Sequence, residues 1–180
     1  MKDKSSSILD VLLKAERLKK VRRKGWITKA KIRNAESVAE HSYCVALAAM
    51  LVADIYSIDF ANMLRTAIIH DLCEVMTGDI QPDEMSRKEK HLLEMEALKK
   101  ILDALPEDVK GLYLRLFREF NSRSTPVAKL VSEIDKLEMA IQASIYEKEK
   151  GLNLDEFFLT ARSMINSHII RDIYDNLMRK

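Results

Sequence analysis

The chain has 180 residues, 47% hydrophobic and 32% charged, with a formal net charge of +2. That mix suits one domain with a buried core, and four glycines and three prolines are too few for a turn-rich sandwich or barrel. Two cysteines make no disulfide framework. Cys44 and Cys73 lie in apolar runs and read as buried free thiols in a reducing compartment. No stretch approaches the roughly 20 uninterrupted apolar residues of a membrane span, and the opening MKDKSSSILD lacks the apolar core of a signal peptide. The expectation is a cytoplasmic protein with no membrane partner.

Helical signals follow one another along the chain. The box Ser7-x-x-Asp10 opens the apolar-periodic run Ile8, Leu9, Leu12, Leu13, Leu18, Val21, and Gly25 follows its end. Ser37-x-x-Glu40 opens a second helix through about Tyr56, whose middle, Val45 to Ala53, is almost wholly apolar and belongs in a bundle centre. Asp59 caps a third, Ala61 to about Met76, stopped by Gly78 with Pro82 beyond. Ser86-x-x-Glu89 starts a fourth, amphipathic through Leu105, and Pro106 suits the first turn of a fifth, to about Phe120. Thr125-Pro126 opens a long sixth with Val127, Leu130, Val131, Ile134, Leu137 and Ile141 on one face, ended by Gly151. Two shorter helices follow, about 154–166 and 168–179. Strand patterns, repeats and linkers are lacking. The architecture expected is all-α: a single-domain helical bundle of about six to eight helices over 1–180, with its core at about 30–150.

Charge is unevenly placed. Nine of the 30 Lys and Arg residues fall between Arg17 and Arg33 with no acid among them, which leaves 21 basic against 28 acidic residues elsewhere. A basic segment (17–33) on an acidic body fits an anion site, or equally a solvated helix end plus loop. Trp26 alone is interleaved with it, too little aromatic surface for a stacking platform, so no nucleic acid polymer is expected as a partner.

Of the four histidines, His91 and His168 sit among polar residues and read as exposed. His41 and His70 lie in the two most apolar helices, where an unpaired ring is costly. On a continuous helix His70, Asp71 and Glu74 share one face, with Asp79 just past Gly78, while Asp135 lies beside the apolar stripe of the sixth helix. His41 taken alone reads as a satisfied core histidine. Two imidazoles and two carboxylates from three core helices instead suggest an N/O site for a divalent metal with open positions for water. Glu74, one turn from these residues, is placed to take a proton from that water.

These residues resemble the HD-domain metal-dependent phosphohydrolase superfamily, and more narrowly the small 5′-deoxynucleotidase-like HD hydrolases. The resemblance covers about Leu12 to Tyr146 and includes RRKGW (22–26), AESVAEH (35–41), HDLCEVMTGDIQP (70–82) and EIDKLEMAIQASIYE (133–147). It implies His41, His70, Asp71 and Asp135 as metal ligands and Glu74 and Asp79 as catalytic acids. Arg23 and Trp26 match residues that line the nucleotide site, so that the basic segment contributes to substrate binding. In bacterial relatives the Arg and Trp are adjacent, whereas Lys24 and Gly25 intervene here, which makes Arg22 a competitor of Arg23. Trp26 has a second reading, as a core or interface aromatic.

The activity this implies is metal-dependent hydrolysis of deoxyribonucleoside 5′-monophosphates to deoxynucleoside and phosphate. The divalent ion expected is manganese or cobalt ahead of magnesium, zinc, iron or nickel, and the resemblance suggests a homodimer. The alternatives are an HD-type phosphodiesterase, a nucleoside triphosphate phosphohydrolase, or a non-catalytic nucleotide-sensing module.

Overall fold

The structure is a computed structural model that describes residues 3–81 and 83–180, so Pro82, expected just beyond the third helix, lies outside the described residues. The described residues form ten α-helical segments and no strand. They are α1 (Lys4–Ala15), α2 (Lys24–Thr28), α3 (Val38–Tyr56), α4 (Phe60–Ile69), α5 (Glu74–Thr77), α6 (Arg87–Ile101), α7 (Glu107–Ser122), α8 (Pro126–Lys150), α9 (Asp155–Met164) and α10 (His168–Leu177). A 3₁₀ turn, Glu16–Lys20, follows α1. The count exceeds six to eight because α2 and α5 are pieces of about one turn.

Local sequence sets most boundaries. Ser37 and Glu40 form a reciprocal capping box at the start of α3, and Ser86 and Glu89 do the same at α6. Asp59 and Thr125 cap α4 and α8, with Pro126 in the first turn of α8. Gly151 ends α8 in the left-handed conformation (φ 63°), where a side chain would add strain.

The first helix differs from expectation. It starts at Lys4, and the Ser7 amide already donates to the Asp3 carbonyl (3.0 Å), so Ser7 lies inside the helix and leaves no free amide for the expected box. Ile8, Leu9, Leu12 and Leu13 of α1 are exposed.

The core has two parts. In one, α3, α4 and α8 pack together with α9 and α10 around Val45, Met63, Ile134, Ala143 and Ile170. In the other, Leu98, Ile101 and Phe117 of α6 and α7 close over Ile69, Leu72 and Val38. Among the described residues, α3 alone is long and apolar enough to suit a membrane span by length and composition. In the bundle its residues Val45, Ala49, Val52 and Ala53 are buried, and α4 and α8 pack against it. Cys73 is buried as expected, but Cys44 is exposed because it lies roughly 100° round α3 from Val45, off the buried stripe.

Candidate active site

The third predicted helix is broken where the chemistry is. α4 ends at Ile69, residues 70–73 form a turn, and α5 begins at Glu74. In the turn the backbone tightens to i→i+3 bonds, Leu72 N to Ile69 O (3.1 Å) and Glu74 N to Asp71 O (3.0 Å). The His70 ring meets the Ala67 carbonyl at 2.7 Å through Nδ1. A carbonyl only accepts, so Nδ1 carries the proton and Nε2 presents its lone pair. His70 and Asp71 are therefore aimed by a turn, and not by the face of a continuous helix.

The first turn of α3 brings His41 to the same place. Its Nε2 lies 3.4 Å from His70 Nε2, 3.7 Å from Asp71 Oδ2 and 3.3 Å from Asp135 Oδ1, the last carried by α8. His70 Nε2 and Asp71 Oδ2 are 3.2 Å apart. Ligand atoms at right angles on a coordination sphere of ~2.1 Å radius sit about 3 Å apart, so this spacing and donor chemistry fit one divalent ion. His41, His70 and Asp71 form one set close enough to share an ion, and Glu36, His41 and Glu138 form another on the far side of the His41 ring. Asp135 joins through His41, and its other oxygen meets Lys136 Nζ at 2.9 Å.

Electrostatics follow from burial. Desolvation and Arg23 oppose a charged His41, but the hydrogen bonds it donates to Asp135 and Glu138 outweigh them and push the imidazole up to about 9. Asp71 resists its own desolvation and is held below the usual carboxylate range by His70 and His41. Asp135 is held there by Lys136 and His41. Glu74 goes the other way: burial, with Asp71 and Asp79 nearby, raises it well above the ordinary value. Its Oε2 is buried and meets no hydrogen-bond partner among the described residues.

The basic segment reaches the site through an isolated antiparallel bridge, Arg22 with Ser37, fixed by Arg23 N to Glu36 O (3.1 Å) and Val38 N to Val21 O (2.8 Å). This register turns Arg23 inward, 3.7 Å from Asp71 and 3.8 Å from Glu36 Oε1. Arg22 turns outward and donates to the Ala35 carbonyl (3.0 Å). Trp26 is fully buried, stacks on Phe157 with ring centroids 4.3 Å apart, and donates its indole N–H to Glu36 (2.9 Å). Asp79 Oδ2 accepts the Lys24 amide at 2.6 Å, which ties the start of α2 to the segment after α5.

Arg23, Trp26, His70, Asp71, Glu74 and Asp135 all contribute to the wall of one cleft of about 1010 Å³, as does Asp79. That volume is at the upper end of small-molecule sites. His91, expected to be exposed, is half-buried on this cleft, because α6 packs over α5. His168 is exposed as expected.

Sequence reasoning missed Glu36, Lys136, Glu138 and Phe157. Glu138 had a readable signal, an acid three residues beyond Asp135 and so on the same side of α8. Phe157 had none, since only the return of α9 onto α8 brings it to Trp26.

Comparison with known proteins agrees with this geometry. A family model described as HD domain matches residues 15–178. The zebrafish (Danio rerio) protein named 5′-deoxynucleotidase HDDC2 is 39% identical over 146 residues, 79% of this chain and 72% of its own. The human protein of the same name is 36% identical over 163 residues, 89% and 79% of the two chains. Among solved structures, a conserved hypothetical protein from Pyrococcus furiosus superposes with a TM-score of 0.79 at 33% identity, covering 96% of this chain and 99% of that one. The described residues hold the His–His–Asp cluster on an all-α frame, and the match spans nearly the whole sequence: the chain belongs to the HD-domain family, alongside the 5′-deoxynucleotidases HDDC2.

Proposed function

We propose that the protein hydrolyses deoxyribonucleoside 5′-monophosphates to deoxynucleoside and phosphate. The observation that carries this reading is the cluster of His41, His70 and Asp71, of which His70 and Asp71 line a cleft shared with Arg23 and with Glu74, one of whose oxygens is buried and unpartnered among the described residues. The names of the zebrafish and human relatives support the substrate class.

His41, His70, Asp71 and Asp135 are the residues that would hold the divalent ion. When bound, the ion supplies Lewis acidity toward a phosphoryl oxygen and acidifies a water. Arg23 neutralises the phosphate through its forked donors. Glu74, buried beside the cluster with one oxygen that meets no hydrogen-bond partner among the described residues, is placed as a carboxylate to take the proton released by the attacking water. Asp79 lies on the substrate side, one oxygen fixed by the Lys24 amide. Trp26 lines the cleft and has one face stacked on Phe157.

The mixed imidazole and carboxylate set suits manganese or cobalt. We read residues 1–180 as one HD-type domain acting on a small nucleotide in a reducing cytoplasm, where Cys44 and Cys73 stay free. Self-association as a homodimer is supported by the exposed stripe Tyr43, Leu47, Leu51 and Ile55, every fourth residue on the outer face of α3.

The test is purified protein with manganese or cobalt and a panel of mono-, di-, tri- and cyclic nucleotides. Phosphate release is expected from deoxyribonucleoside monophosphates, and its absence from every one of them would refute the assignment.

A further inference from the structure

Each imidazole of the cluster is gripped at the ring nitrogen that faces away from the ion site, but by different partners. His70 uses the Ala67 carbonyl. His41 uses a carboxylate: Glu138 Oε2 lies 2.5 Å from His41 Nδ1, and both side chains are buried. Glu138 sits one turn beyond Asp135 on α8, so a single stretch of helix supplies both an oxygen toward His41 Nε2 and an acceptor for its Nδ1.

We propose that Glu138 is a positioning residue of the metal centre. By accepting the Nδ1 proton it fixes the His41 ring plane and leaves Nε2, the nitrogen that faces His70, Asp71 and Asp135, as the one that would coordinate the ion. A carboxylate in this position also makes the ring a stronger donor than a carbonyl would. The contact carries a structural cost. Glu138 and Glu36 approach one another around His41, and burial, with the Glu138 charge added to it, raises the Glu36 carboxyl. Two acids crowded in a core would otherwise be destabilising. The proposal rests on the metal reading above, and it concerns orientation, not turnover.

The experiment measures manganese affinity by calorimetry, in the absence of nucleotide, for the wild type, E138A and E138Q. E138A is expected to bind manganese roughly 10–100-fold more weakly, with E138Q between the two because its amide oxygen still accepts from Nδ1. Wild-type affinity in E138A, or an E138Q no better than E138A, overturns the proposal. Should E138A fail to fold, the wild type decides: in the zinc-loaded protein, ¹⁵N-detected imidazole spectra should show His41 protonated at Nδ1, and a proton at Nε2 overturns the proposal. Nucleotide hydrolysis by the wild type is assayed in parallel. Weakened manganese binding in E138A without any wild-type hydrolysis would support the positioning role while removing the nucleotidase reading.

Discussion

The Arg23 guanidinium lies 3.7 Å from the Asp71 carboxylate, and both side chains are mostly withdrawn from solvent on the wall of one cleft. Burial disfavours the charged guanidinium, but Asp135, Asp71 and Glu36 more than compensate and raise its pKa, so it stays cationic where a phosphate would enter. Arg22, one residue earlier, is half exposed and faces Ala35 and Glu40 instead. A hydrogen bond to a charged group is worth about 1.5–3 kcal/mol. R23A should therefore raise KM for a deoxyribonucleoside monophosphate about 10- to 100-fold, and R22A should change it by less than about threefold. Initial-rate kinetics on the two variants decide between them, and the reverse ranking would give the phosphate contact to Arg22.

Glu74 is separable from the metal set. E74Q keeps the shape of the side chain but can no longer take a proton. Turnover should fall by roughly 10²–10⁴ while manganese affinity stays within a few-fold of the wild type. Phosphate-release assays and calorimetry read the two quantities independently. Loss of metal together with activity would instead make Glu74 a ligand.

Metal binding should report on the fold itself. At a manganese concentration about 100 times Kd, mass action stabilises the native state by about 2.7 kcal/mol, or ~5–10 °C in Tm for a chain of this size. The wild type should show this shift and D71N should not, because Asp71 supplies the carboxylate beside His70. Melting curves with and without EDTA make the comparison, and equal shifts in both proteins would argue against Asp71 as a ligand.

Trp26 should matter to stability first. It packs between Phe157 and Tyr146 and gives its N–H to Glu36, so W26A opens a cavity and leaves a buried acid without that donor. The expected loss is about 3–5 kcal/mol, measured by urea unfolding. A loss under ~1 kcal/mol would mean that the indole is not the core residue its burial implies.

Glu36 supplies the pH test. Burial and then Glu138 raise its carboxyl, against Arg23 and His41. An acid raised in the folded state contributes its full stability below the unfolded value of about 4.3, and that contribution is lost as pH rises through the folded value. In EDTA, E36Q should melt above the wild type at pH 8, and the gap should close toward pH 4. A gap independent of pH would show that the carboxylate is not strained by its surroundings.

Much of the frame was legible from single residues. Capping boxes at Ser37 and Ser86, the caps Asp59 and Thr125, and Gly151 at the end of α8 act within a few residues of chain, so their effect can be read locally. The pattern of His41, the His70–Asp71 doublet and Asp135 was visible for a related reason: polar groups in apolar helices need partners, and few were on offer. The break of the third helix at His70 was not visible, because the bond from His70 Nδ1 to Ala67 competes with a propensity that favours continuing the helix.

What the sequence determined by itself, then, was the helical class, most helix ends and the chemical types gathered for the site. Only the tertiary structure decided which way each group faces. The bridge between Arg22 and Ser37 turns Arg23 inward, α8 brings Glu138 to the back of His41, and α9 lays Phe157 on Trp26. Those choices depend on contacts between residues as far apart as 97 and more positions in the chain. Helix signals reach only three or four residues, so no local pattern could carry them.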